Sequence, residues 1–389
     1  MKAHKNSRSK KSVDGTLRKV SCHSVSSSMV SQHLGDAKIK DVRDCSFTIA
    51  VVATMSAGKS TLLNAMIGRR LLPSCNEACT ATVFRVVDHD ERRDFRACRK
   101  DVNGWSGWTD EVSQELLNEW NAKAPSEILI EGNLPNIANT KDSCRVAFVD
   151  TPGPNNSSCK AHAIVTERIV ADSDFSAVLF VINASVAGVE DEERLLSRLK
   201  SMFDVAPKNA KIYFVVNKID LLDPGANESV ASVLDGCDKH LRRIGFKNPL
   251  LIPTAGDLAL QLRQIVDTAI PYTMGEGKPR IAKAKRDGTF EAVGSPRSLA
   301  RMRRSVENLL AAKKFYRTGL RFSEEGRIAL ARVDHSRQNR HNKIKSLWLS
   351  GRFFTGAELR VAIKMTGIPV LEQILQTELN RFSLEGGLK

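Results

Sequence analysis

Residues 53–61 read Ala53-Thr-Met55-Ser56-Ala57-Gly58-Lys59-Ser60-Thr61, a turn of small residues that closes on a lysine and two hydroxyls. Such a turn aims successive backbone N–H groups, and the positive end of the helix that follows, at a group carrying several negative charges. A triphosphate is that kind of group. Lys59 is expected to bridge its β- and γ-phosphates, and Ser60 to place its hydroxyl on Mg²⁺. Ala53 stands where the motif most often has Gly, so the exit from the preceding strand must suit a residue with a β-carbon.

Three further groups follow in order. Asp150-Thr-Pro-Gly153 ends an apolar run; its carboxylate can hold Mg²⁺ through water while the Gly153 N–H meets the γ-phosphate. Asn217-Lys218-Ile-Asp220 ends another. The Asp220 carboxylate can accept from both N1–H and the 2-amino group of guanine. Adenine offers neither donor and would leave a buried carboxylate unpaired, a loss that can reach about 10⁴-fold in discrimination. Lys218 is expected along the base and Asn217 across to the phosphate loop. Thr254-Ala255, a small polar turn, is the place from which a backbone N–H can reach guanine O6. Between the first two groups, Leu72-Pro-Ser-Cys-Asn-Glu-Ala-Cys-Thr80-Ala-Thr82 is polar between apolar flanks. It suits a loop whose Thr80 ligates Mg²⁺ only when the γ-phosphate is present, with Thr82 opening the next strand.

The elements that must position these groups are readable. Phe47–Ala53, Val83–Val87, Ile128–Ile130, Arg145–Asp150, Lys211–Asn217 and Leu250–Thr254 are short, apolar and rich in β-branched residues, as buried strands are. Ser60–Ile67 and a stretch near Glu111 to Ala122 have helical periodicity. Strand, phosphate loop, helix is the context the first motif needs. The expected fold is α/β, a P-loop nucleoside-triphosphatase with a mainly parallel sheet flanked by helices.

Met-Ser-Ala-Gly-Lys-Ser-Thr-Leu-Leu-Asn-Ala-Met-Ile-Gly over 55–68, Leu-Leu-Pro before Thr80, Asp-Thr-Pro-Gly over 150–153 and Asn-Lys-Ile-Asp over 217–220 resemble the dynamin-like large GTPases, particularly their bacterial branch. The wide interval between Lys59 and Asp150, with Trp105 and Trp108 in it, supports that resemblance. The resemblance covers roughly 44–260. It implies hydrolysis of GTP to GDP and phosphate with Mg²⁺, nucleotide-dependent pairing of two G domains in a homodimer, and a part for Ser56 beside the leaving oxygen and a monovalent cation. Ser56, Lys59, Thr80 and Gly153 are then the catalytic set. Met55 departs from the family, which often has Gln there to position the attacking water; a thioether cannot do so. The family's long helical stalk is also missing from this reading.

The chain divides into a disordered basic tail over 1–43, a dynamin-type G domain over 44–265, a basic linker and helical subdomain over 266–350, and a closing helical segment over 351–389. Apolar residues make up 42% of it, enough for a sizeable core. The formal charge of +15 is concentrated in Lys278 to Lys345, with a surplus of roughly a dozen positive charges. Lys283, Lys285, Arg286, Arg301, Arg303, Arg304, Lys313, Lys314, Arg317 and Arg321 belong to it, among helical segments such as Leu299–Leu320. A solvated face, an anionic membrane surface and nucleic acid all fit such a block. Two other readings of the whole stand beside the GTPase: a GTP-regulated switch acting on nucleic acid in replication or on the ribosome, and a non-hydrolysing module that pairs with a longer dynamin-like partner. After Gly367-Ile-Pro369, the residues Val370, Leu371, Ile374, Leu375, Leu379 and Phe382 share one helical face, which predicts a helix packed on the G-domain sheet. The eight cysteines are scattered and expected to be reduced, and Cys75 and Cys79 lack a second pair for a metal. With neither a secretory signal nor an apolar run of transmembrane length, the expected location is the cytoplasm, peripheral at membrane or nucleoid if the basic block binds there.

Overall fold

The computed structural model describes residues 47–54, 56–73, 82–134, 136–137, 145–151, 175–186, 190–205, 210–223, 228–268, 282–284, 289–292, 294–312, 328–329, 331–333 and 346–386. Met55, Thr80, Gly153 and the 1–43 tail lie outside them, as do Lys285, Arg286, Lys313, Lys314, Arg317 and Arg321 of the basic block.

The larger sheet is built from β1 (Phe47–Ala53), β2 (Val83–Asp88), β3 (Arg96–Asp101), β4 (Gly104–Trp105), β5 (Glu127–Gly132), β6 (Val146–Asp150), β7 (Ala177–Asn183), β8 (Lys211–Asn217) and β9 (Leu250–Thr254). Their order is β4-β3-β5-β2-β6-β1-β7-β8-β9. From β6 to β9 every pairing is parallel. The direction reverses between β6 and β2, and β3 and β4 run as an antiparallel extension of β5. β6 through β9 are apolar almost throughout because helices cover both faces of the parallel part, which leaves no solvent side for polar alternation.

The helices are α1 (Lys59–Ile67), α2 (Gln114–Ala122), α3 (Glu190–Val205), α4 (Val230–Ile244), α5 (Gly256–Thr268), α6 (Pro296–Ala311), α7 (Gly356–Met365) and α8 (Ile368–Gly386). α4 shows how local signals set them. Ser229 and Ser232 form a reciprocal capping box at its start, Gly245 takes a left-handed conformation at its end, and Val230, Leu234, Cys237 and Leu241 form its buried stripe.

A second, four-stranded sheet lies within 282–355: β10 (Ala282–Ala284), β11 (Thr289–Ala292), β12 (Ser346–Leu349) and β13 (Arg352–Thr355). The expected linker and helical subdomain therefore contains strands, and the boundary drawn at 350 falls in the β12–β13 turn. Ser350 and Gly351 both have positive φ there, 46° and 89°, as a two-residue hairpin turn demands. Pairing across the hairpin stacks Trp348 on Phe353 at 4.5 Å. Three- and four-residue strands are too short to show a period in the sequence.

The closing helix α8 follows the sequence expectation. Val370, Leu371, Ile374, Leu375 and Leu379 are buried, and the helix packs on α1 and β9. Phe382 is partly exposed and sets its ring edge against Phe47 at 5.5 Å. One ion pair locks this corner: Arg263 of α5 donates through both terminal nitrogens to Glu372 of α8 at 2.7 Å, and also to the Ala65 carbonyl of α1 at 2.6 Å. Both side chains are buried. Removing one partner strands a charge, so Arg263→Met or Glu372→Gln alone should cost about 3–5 kcal/mol in chemical denaturation. The double replacement Arg263→Met/Glu372→Leu should cost less than either.

Asp88, at the end of β2, is fully buried. Its Oδ1 accepts the Leu134 N–H at 2.7 Å and its Oδ2 has no partner among the described residues. Burial pushes its carboxyl up to about 7. The folded state thus keeps a proton that the unfolded chain releases near the ordinary value of 3.8, so this residue's contribution to stability falls as pH rises between those values. Urea denaturation of wild type and Asp88→Asn should show the variant gaining on the order of 2 kcal/mol relative to wild type between pH 5 and pH 8.

Candidate nucleotide site

Because β6, β1, β7, β8 and β9 are parallel neighbours, the loops that leave their carboxyl ends gather on one edge of the sheet. Asp150 at the end of β6 lies beside Val51 of β1, and Asn183, Asn217 and Thr254 are in register across β7, β8 and β9. Crevices at the carboxyl edge of such sheets are where ligands bind. All of the motif residues that lie within the described part are on this edge.

The phosphate loop leaves β1 through Ser56, which has φ 60°, and reaches α1 through Gly58, which has φ 93°. Gly58 caps α1 without any side-chain hydrogen bond, so no side chain competes for the N–H groups of the first turn. A β-carbon on Gly58 would stand 2.6 Å from the Asn217 Nδ2. Ala57 is buried, while Lys59, Ser60 and Thr61 are half-buried along the start of α1.

Asn217 is the hub. Its Nδ2 donates to the Ala57 carbonyl at 2.9 Å, and its Oδ1 accepts from the Thr254 hydroxyl at 3.2 Å and the Gly256 N–H at 3.0 Å. A single buried amide thereby joins the phosphate loop, the end of β9 and the start of α5. Lys218, with φ 69°, reaches the Ser56 carbonyl with its Nζ at 2.6 Å. Burial lowers the Lys218 ammonium, and the Asp220 charge opposes that shift.

The Ser60 hydroxyl donates to Asp150 Oδ2 at 2.7 Å. Asp150 is buried and its Oδ1 has no partner among the described residues. Burial raises its carboxyl above the usual range, opposed by the Lys59 charge and the Ser60 hydrogen bond. A hydroxyl with lone pairs to spare beside an under-satisfied buried carboxylate oxygen is a hard oxygen pair of the kind Mg²⁺ takes. Next to it, the Thr151 hydroxyl donates to the Val51 carbonyl at 2.8 Å and pins the end of β6 to β1.

Asp220 lies in the 3₁₀ turn Ile219–Leu221 and is buried. Burial raises its carboxyl, and a hydrogen bond from the Ser305 hydroxyl is the largest influence against that. Thr254 is buried in the Asn217 network, and the Ala255 N–H is donated to the Thr366 carbonyl at 2.8 Å. In this structure the Ala255 N–H therefore serves the end of α7, not an incoming base.

Two residues that shape this edge were not singled out in the sequence. Asn64, buried in α1, accepts from the Leu71 and Leu72 N–H groups at 2.9 and 2.8 Å and donates to the Leu72 carbonyl at 2.9 Å, fixing where the chain departs toward Thr80. Ser305 is the other, and its distance along the chain hid it. An asparagine at helical spacing inside the apolar run 62–67 was the available signal for the first.

Gly58→Ala should combine the cost of a left-handed residue, about 1–2 kcal/mol, with the collision on Asn217. The expected result is a lower thermal midpoint and loss of GDP binding in fluorescence titration. Gly236→Ala, in α4 with open space at its β-carbon, should instead raise stability by about 0.5–1 kcal/mol and leave binding intact.

A model of the Dynamin family matches residues 49–219. The "Uncharacterized protein in xynA 3′region" of Caldicellulosiruptor sp. (strain Rt8B.4) is 28% identical over 245 residues, covering 61% of this chain and 55% of that protein. The Dynamin-1-like protein of Mus musculus is 26% identical over 212 residues, 46% of this chain and 27% of that protein. Among solved structures, an oligomerised bacterial dynamin pair aligns at 15% identity with a TM-score of 0.41, over 78% of this chain and 46% of that chain. The chain spans between about a quarter and about half of the length of the curated relatives it matches. With its motifs in order on one sheet edge and residues 49–219 matched, the chain carries a dynamin-like G domain.

Proposed function

We propose that this chain binds GTP with Mg²⁺ and hydrolyses it to GDP and phosphate, and that its G domains pair when the triphosphate is bound. The observation that carries the reading is the Asn217 hub, which holds the phosphate loop and the base-reading turn in one rigid frame. Phosphoryl transfer asks little covalent chemistry of a protein and much positioning, and this frame supplies it. Ser60 and Asp150 would hold the magnesium ion, Asp150 through water. When bound, that ion neutralises charge developing on the phosphate oxygens. Lys59 and the uncapped first-turn N–H groups of α1 stabilise the same charge in a preorganised way. Ser56, with its exposed side chain beside the loop, would approach the leaving oxygen and a monovalent cation. Asp220 selects guanine through its two donors, and Lys218 lies along the base.

Arg297, Arg301 and Arg304 form an exposed stripe on α6, spaced three and four residues apart on one face. This stripe supports an anionic partner for the basic block. A membrane surface is the reading that accords with the family, and nucleic acid is the alternative. Sedimentation with anionic liposomes and with nucleic acid across a salt series separates the two.

Phosphate release from GTP and ATP with Mg²⁺, over a range of protein concentrations and with K⁺ or Na⁺, should show GTP-selective turnover whose specific rate rises with protein concentration. Lys59→Ala should abolish turnover, and Asp220→Asn should shift preference from GTP to xanthosine triphosphate by a factor on the order of 10² or more. Tight GTP binding without turnover at any concentration would instead leave the chain a switch or a module completed by a longer partner. Unchanged sedimentation between a non-hydrolysable analogue and GDP would remove the pairing.

A further inference from the structure

The turn that carries Asp220 is held from outside the four motifs. Helix α6 lies against it, and its inward face carries two polar side chains one turn apart. The buried Ser305 lies beside the Asp220 carboxylate, where its hydroxyl opposes the upward shift that burial imposes. Asn308 donates through Nδ2 to the carbonyls of Asp220 and Leu222, 3.2 Å in each case. The neighbours of this pair, Met302, Val306 and Leu309, are apolar and buried, so the helix is seated against the turn.

α6 is in turn fixed to the small sheet. Arg303 donates to the Ser350 carbonyl at 2.8 Å in the β12–β13 turn, and Arg352 beyond that turn pairs with Glu307 at 3.0 Å. A chain of contacts therefore runs from the hairpin turn through α6 to the base-reading carboxylate.

A carboxylate has about four lone-pair positions, and guanine uses only two donors on it. Two backbone carbonyls pinned by one amide hold the turn, and with it the direction in which both oxygens are presented. We infer that Asn308 is a specificity-determining positioning residue for guanine, fixing the backbone of the Asp220 turn with Ser305 packed beside it, so that α6 and the small sheet complete the base site. This inference rests on the GTP reading proposed above. It also makes docking of α6 and occupation of the base site reciprocal: each favours the other by the same factor.

Equilibrium titration of the full chain with GDP, inosine diphosphate and ADP tests both levels separately. Inosine lacks the 2-amino donor, so the ratio of GDP to inosine diphosphate affinity reads how well the carboxylate is aimed. If the wild-type chain does not prefer GDP to ADP, the GTP reading itself fails. Given that preference, Asn308→Ala should weaken GDP by about tenfold and narrow the GDP to inosine diphosphate ratio. Ser305→Ala should act in the same direction, with Ser305→Thr restoring both. Folded variants with the wild-type ratio overturn the inference, and so does equal weakening of both ligands, which marks general loosening. Hydrogen exchange on the wild-type chain needs no variant: GDP should protect the amides of α6 more than magnesium pyrophosphate does. Equal protection by the two would also overturn it.

Discussion

The side chain of Asn217 is the interaction on which the rest of this site depends. It sits where two parallel strands end side by side, and the amide has one donor arm and one acceptor for three separate chain segments. Such a group is buried, so each of its hydrogen bonds has no water as an alternative, and losing the amide would leave three backbone or hydroxyl groups unsatisfied at once. The same side chain explains why position 58 is glycine: the loop passes so close that no β-carbon fits. The phosphate-loop motif and the Asn217–Asp220 motif are thereby joined at one point of contact.

Around that point, the sheet buries two carboxylates that the chemistry needs ionised. Burial works against ionisation at Asp150 and Asp220 alike. At Asp150 a lysine charge and a serine hydroxyl oppose the penalty, and a divalent cation would oppose it far more strongly. At Asp220 the opposition comes from Ser305 and the neighbouring Lys218, while Asp257 adds to the penalty. The two sites are thus poised so that a cation or a donor-rich base relieves an electrostatic cost the empty fold carries.

The carboxyl-terminal third is part of this arrangement and not an addition to it. Through Arg263 and Glu372, α8 closes the back of α1, the helix whose other end carries Lys59. Through Thr366, α7 takes up the Ala255 N–H. Through Ser305 and Asn308, α6 takes hold of the Asp220 turn. Three helices that contain no nucleotide motif each bear on an element that carries one.

Much of this was legible from residue order alone. The phosphate loop, the Asp150 and Asn217 strand ends, and the closing amphipathic helix declare themselves because each is a local pattern: a turn needing small residues, an apolar strand stopped by a polar residue, an apolar face at helical spacing. Strand ends with these motifs also imply a parallel sheet, since only parallel strands bring successive carboxyl ends to one edge. The small sheet was not legible, because its strands are three and four residues long and the pairing that joins its two halves, β11 with β12, spans more than fifty residues of chain. Nor were the partners of Arg263, of the Ala255 N–H and of Asp220, for a serine or glutamate in a helix carries no mark of what it will face. The sequence by itself determined which groups are candidates to meet phosphate and base, because that chemistry depends on residue type at short spacing. Only the tertiary structure decided which distant side chains hold those groups in place, because that depends on the packing of helices whose registry no local pattern encodes.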